Sequence, residues 1–172
     1  AGTVPSTGSA SGSTAVVSVI VPVEPYVLVV NRIAEERVDA HTLVPPGQSP
    51  HTYSPTPQQI AGFAKADVLF HVGLELERGL VPRLRELDRG LLVVDLMPDE
   101  PEPPDAHDHE RGHDPHVWLD PSNVIRQAAL IAETLSRLDP AGSEGYAAGL
   151  DSLVRDLSRL DEELTSRLRP HA

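Results

Sequence analysis

The stretch AVVSVIVPVEPYVLVVNRIAEERVDAHTLV, residues 15–44, runs through two periodicities in turn. Its first seven residues are a β-branched apolar run of strand length. Residues 26–37 then place Val27, Val30, Ile33 and Ala34 at helical spacing, and residues 37–44 alternate as a second strand would. Strand, helix and strand joined this closely predict a parallel pair with a right-handed crossover. The pattern continues along the chain. Residues 66–72, ADVLFHV, and 91–96, LLVVDL, read as a third and a fourth strand. Between them and the first pair, Thr56 caps a helix, with Pro57 at its first position and Ile60, Phe63 and Ala64 on its apolar face. Residues 75–88 predict another helix, in which Pro82 either makes a kink or marks the true start.

After the fourth strand, residues 97–116 are acidic and rich in proline and histidine, and they read as a loop. A helix opens at Pro121 or Ser122 and runs to about Leu138, where DPAGS (139–143) breaks it. Residues 144–168 then form one long amphipathic helix striped by Leu150, Leu153, Val154, Leu157, Leu160 and Leu164. Such a helix extends roughly 37 Å, more than a small domain needs, and its stripe calls for a partner surface. The predicted fold class is α/β, a four-stranded parallel sheet flanked by helices and followed by the long C-terminal amphipathic helix. Residues 1–14 are expected to be a flexible Gly/Ser/Thr-rich tether, 15–140 an α/β lobe and 141–172 the long helix.

Bulk composition narrows the chemistry. The chain has 172 residues and a formal charge of −12, which disfavours nucleic acid and anionic membranes as partners and suits a cation. It has no cysteine, so any transition-metal site must use imidazole and carboxylate, a donor set suited to zinc, manganese, iron or nickel. The most apolar stretch, residues 15–30, is interrupted by Pro22, Glu24 and Pro25, so no membrane span is predicted. Metalloprotease, nucleophile-elbow, P-loop and dinucleotide-binding motifs are all absent.

Eight histidines make up the remaining signal, and four of them fall in DAHDHERGHDPHVWLDP, residues 105–121. In sheets of this class ligands bind beyond the carboxyl ends of the strands. The 45–57 loop follows the second strand and the 97–116 loop follows the fourth, so both can open on one edge. That topology brings His51 and His116 toward one place. His51 lies in PPGQSPHTYSPTP, where prolines on both sides stiffen the loop as a fixed ligand requires. It reads equally as a surface loop histidine. His116 lies beside Trp118, which can shield a site from water, while Asp114 or Asp120 can accept its second ring N–H. Its alternative is a buried, hydrogen-bonded histidine. His107, His109 and His113 are candidate auxiliary ligands or solvated spacers. His71, at the end of the third strand, is a candidate pocket residue, against the competing reading of a core or rim position. Glu75 and Glu77 open a helix, where carboxylates complement the macrodipole, and are not counted as ligands.

PPGQSPHTYSPTPQQI, ADVLFHVGLELE and DPHVWLDP together resemble the metal-binding solute-binding proteins of zinc and manganese ABC transporters, the cluster A-I type, over about residues 16–168. The resemblance implies that His51 and His116 are two of the metal ligands, with Zn2+ as cargo and Mn2+ as the alternative. The short His/Asp/Glu-rich stretch before the second motif tilts the reading toward zinc. It further implies binding without catalysis, delivery to an ABC membrane permease, and an extracytoplasmic place in the periplasm or at the cell surface, with lipid anchoring in the precursor.

The fold implied is two α/β lobes joined by a long helix, of which this chain carries the first lobe and the connector. Either the chain is a fragment of a longer protein, or the third and fourth ligands come from a separate C-terminal lobe or from a second copy in a homodimer, where two histidine pairs would complete one site. Two other classes remain at this point: a repurposed lobe acting as a protein interaction module, and a zinc hydrolase.

Overall fold

The protein is described by a computed structural model over residues 16–97 and 116–168. Four strands, β1 (Val17–Val21), β2 (Val38–Thr42), β3 (Val68–His71) and β4 (Leu92–Asp95), form one sheet in the order β2-β1-β3-β4. Every neighbouring pair is parallel, with Val19 opposite Ala40 and Val68, and His71 opposite Asp95. The connecting helices are α1 (Glu24–Ala34), α2 (Pro57–Phe63) and α3 (Glu75–Leu87), and two more follow β4, α4 (Pro121–Leu138) and α5 (Ser143–Leu168). The α/β class and the long final helix predicted from the periodicities are those observed.

Strand alternation sorts the core into two layers. Val17, Val19, Val21, Val68 and Phe70 face α1, α4 and α5, while Ile20, Leu69 and Leu91 face α2 and α3. Both faces are therefore covered, as a parallel sheet requires. Helix α1 begins two residues earlier than the spacing predicts, and it ends at Glu35, whose φ of 48° turns the chain through Glu35–Arg37 into β2. Helix α2 starts with a capping box: the Thr56 hydroxyl accepts the Gln59 N–H at 3.3 Å, and the Gln59 side chain accepts the Thr56 N–H at 2.8 Å. Pro82 neither starts nor ends α3 but sits inside it. It lies on the exposed face, as does Arg78, whose carbonyl loses the N–H it would otherwise accept, so water can take that place.

The start of α3 hides a charge problem. Glu77 is 2% exposed, and its Oε2 accepts the N–H groups of Val72 (3.1 Å) and Leu74 (2.7 Å). The side chain thus folds back on the turn after β3, where Gly73 holds a φ of 78°. Burial pushes the carboxyl up to about 7, against the downward pull of those backbone N–H groups. By its place in the sequence Glu77 belongs to the solvated end of a helix; the fold makes it an internal clamp.

Helix α5 packs across α4 and α1 with the first half of its stripe. Tyr146 and Leu153 are buried in the core and Leu150 and Leu157 lie against it, whereas Leu160, Leu164 and Leu168 are exposed. Close approach depends on Gly149, because a Cβ there would stand 2.4 Å from the Ile33 carbonyl oxygen and 2.8 Å from that of Arg32. A polar knot fastens the same end. Arg37 donates through Nε and Nη2 to the two Asp139 oxygens at 2.8 and 2.9 Å, and the Tyr146 hydroxyl donates to Asp139 Oδ2 at 2.6 Å. The Tyr146 hydrogen bond and the Arg37 guanidinium hold the Asp139 carboxyl below its ordinary range.

Gly149→Ala should lower stability by roughly 1–3 kcal/mol, because a backbone must move to admit the methyl group; thermal unfolding would show it, and an unchanged midpoint would contradict the close approach. For Glu77, a folded-state value near 7 above an ordinary 4.5 means a contribution present in full below about pH 4.5 and lost as pH rises through 7. Glu77→Gln keeps the acceptor without the charge. Between about pH 5 and 8 it should gain on the parent by about 2 kcal/mol in urea unfolding, and parallel pH curves would count against a buried ionisable Glu77.

Candidate metal centre

Because all four strands run the same way, their carboxyl ends open on one edge. The chain leaving β2 is first tied to the neighbouring strand: Leu43 N–H donates to the Val21 carbonyl at 2.8 Å and Val44 N–H to that of Pro22 at 3.2 Å. It then folds into two small turns. Gln48 N–H reaches the Pro45 carbonyl at 3.1 Å, and Tyr53 N–H reaches that of Ser49 at 2.9 Å. His51 sits inside the second turn, exposed, with its own N–H 3.4 Å from the Ser49 hydroxyl. Downstream, the capped start of α2 fixes the other end of the loop.

His116 comes from a distant part of the chain. It precedes a single 3-10 turn, Val117–Leu119, closed by the Leu119 N–H on the His116 carbonyl at 3.0 Å. The Asp120 side chain then caps α4 by accepting the Ser122 N–H at 2.8 Å. The imidazoles of His51 and His116 stand 5.9 Å apart between centroids and are tilted by 50°. Two imidazoles on one tetrahedral zinc, each bound at about 2.0–2.1 Å, place their centroids roughly 5 Å apart. The observed spacing differs from that by about one ångström, within reach of small side-chain rotations.

From His116 a series of contacts runs through aromatic and amide groups. Trp118 stands 5.1 Å from His116 between centroids, tilted 59°, and meets Tyr26 edge to face at 6.3 Å and 73°. The Tyr26 hydroxyl donates to Gln127 Oε1 at 2.9 Å, and Gln127 Nε2 donates to the Leu96 carbonyl at 3.0 Å. Tyr26 and Gln127 are both buried, and burial pushes the Tyr26 hydroxyl well above its ordinary range, so it stays a neutral donor.

The other sequence candidates separate. His71 ends β3, half-buried, with Nδ1 3.8 Å from the Asp95 carboxylate of β4, and burial lowers its proton affinity. That distance is too long for a hydrogen bond. Asp120 is engaged as the helix cap, and Trp118 is the neighbour of His116. His107, His109, His113 and Asp114 lie outside the described residues. Among the described residues no three His, Asp or Glu side chains converge as a metal-holding group, so His51 and His116 stand as a pair. Tyr26 and Gln127 are not among the candidates that the sequence offers. The signal for Gln127 is a glutamine interrupting the apolar face Val124, Ala128, Ile131 and Leu135.

Comparison with known proteins gives this geometry a family. Residues 19–172 match the family model described as ZnuA, zinc-uptake complex component A, periplasmic. The chain is 37% identical over 134 residues to the manganese-binding lipoprotein MntA of Halalkalibacterium halodurans, covering 78% of this chain and 44% of that one. It is 32% identical over 150 residues to the metal ABC transporter substrate-binding lipoprotein ScbA of Streptococcus cristatus, covering 78% and 46%. A zinc-bound deletion mutant of ZnuA is similar in structure, with a TM-score of 0.80 and 32% identity over 90% of this chain and 59% of that one. The chain spans about half the length of the curated relatives it matches. On the family model's match to nearly the whole chain, this protein belongs to the family of ZnuA-type metal-binding components of ABC transporters.

Proposed function

We propose that this chain captures a divalent transition metal outside the cytoplasm, with zinc as the preferred cargo, and passes it to the membrane permease of an ABC transporter. It is binding, not catalysis. The observation that carries this reading is the pair of imidazoles, His51 and His116, drawn from two distant loops to 5.9 Å on the carboxyl edge of the sheet. The net charge of −12 favours the approach of a cation. The family's periplasmic description and the lipoprotein names of the relatives support the location.

Zinc is preferred because imidazole donors suit it better than the harder manganese, which favours carboxylate and water. Manganese is the alternative, since MntA is named for it. The pair leaves coordination positions to be filled from a second lobe or a second copy. The exposed Leu160, Leu164 and Leu168 offer such a unit an apolar surface at the end of α5. His107, His109 and His113 add weaker binding that the main site does not need.

His51→Ala and His116→Ala should each weaken zinc binding by about tenfold or more in competition with a chromophoric chelator. A His51→Ala chain with the parent's affinity would sink the assignment. Zinc must also displace protons from imidazole ligands, so affinity should fall as the solution is made more acidic. Trp118 is the chain's single tryptophan and stands beside His116, so its emission should change on zinc addition in the parent and not in His116→Ala. Unaltered emission at saturating zinc would place the metal elsewhere.

A further inference from the structure

Two ligands on separate loops bind one ion well only if both are aimed at it, and His116 is followed by a short 3-10 turn. The turn that carries Trp118 is three residues long. Turns of this kind have poorer hydrogen-bond geometry than an α-helix. Trp118, however, is in ring contact with both His116, at 5.1 Å between centroids, and Tyr26, with which it forms a T-shaped pair. An edge-to-face aromatic pair depends on orientation, so a fixed Tyr26 fixes the Trp118 plane.

Tyr26 is itself immobilised. It is 1% exposed, and its hydroxyl is held by a Gln127 amide whose other end is held by the Leu96 carbonyl. The carbonyl demands the N–H end of that amide, which leaves its oxygen for the tyrosine hydroxyl. Leu96 in turn donates its N–H to the His71 carbonyl at 2.8 Å, which ties the exit of β4 to β3. A chain of hydrogen bonds therefore joins α1, α4 and the sheet edge, and its Tyr26 ring meets the Trp118 ring that contacts His116. Such networks hold one arrangement when every member is satisfied.

Given metal capture by the histidine pair, on which this step rests, we infer that Tyr26 and Gln127 are positioning residues for it: through the ring of Trp118 they hold the His116 imidazole toward His51. A ligand aimed before the metal arrives loses less freedom on binding it, so the network contributes to affinity without touching the ion. Neither residue is needed as a donor to the metal.

The test compares zinc affinity by chelator competition in the parent, Tyr26→Leu, Tyr26→Phe, Gln127→Met and a core control, Leu135→Ala, with folding checked by near-UV dichroism. Tyr26→Leu removes the ring and should lose about tenfold, while Tyr26→Phe and Gln127→Met, which keep the ring and release its tether, should lose roughly threefold. The zinc-induced change in Trp118 emission should shrink in the same order. Leu135→Ala, fully buried in the same core and outside this network, should melt earlier yet keep the parent's affinity.

A folded Tyr26→Leu with the parent's affinity would overturn the inference, as would a Leu135→Ala chain that loses as much as Tyr26→Leu. Should Tyr26→Leu fail to fold, parental affinity in both Tyr26→Phe and Gln127→Met would overturn it instead. A parent chain that binds no zinc would remove the metal reading as well; in every other outcome that reading stands or falls on the His51 and His116 variants alone.

Discussion

In a sheet whose strands all run one way, every strand must deliver its chain to the same edge, and every helix must carry it back. That constraint organises this molecule. It places the exit of β2, which leads to His51, on the same side as the exit of β4, beyond which His116 returns. The outer positions of β2 and β4 leave β1 and β3 between them, so the chain reverses its direction of travel across the sheet at the centre. Crevices form at such reversals because the loops on either side diverge. The histidine pair bridges loops that follow the two outer strands.

The opposite end of the lobe has a different job. The Arg37–Asp139–Tyr146 knot and the contact at Gly149 lock α5 to the ends of α1 and α4. Buried charge pairs are costly unless every oxygen is used, and here both Asp139 oxygens accept. The helix leaves the lobe from this anchored base, with its last leucines uncovered. The knot makes the direction of α5 a property of the lobe's own core. Any unit carried on the far end of that helix would be oriented by it.

Much of this was legible in the residues. β-branched runs marked the strands, Thr56 and Pro57 marked the start of α2, and Pro121 with DPAGS bounded α4 as observed. The shared loop edge followed from parallel topology, and the resemblance singled out His51 and His116. What the chain hid were features that exist only in three dimensions. Glu77 stands where a solvated carboxylate belongs, and only the fold of the turn after β3 buries it. Pro82 looks like a helix break and is tolerated because its face meets water. Tyr26 and Gln127 are separated by 101 positions, and nothing local joins them. Gly149 reads as a weak point in a helix, yet it is the place where two backbones touch.

If His51 and His116 act together on one ion, they must respond to it together. Nuclear magnetic resonance of the imidazole nitrogens during a zinc titration reads this directly. The ring signals of His51 and His116 should shift together and be complete at the same zinc equivalent, ahead of the remaining histidines. A titration in which one of the two moves without the other, or in which other histidines respond first while this pair stays unchanged, would contradict a shared site.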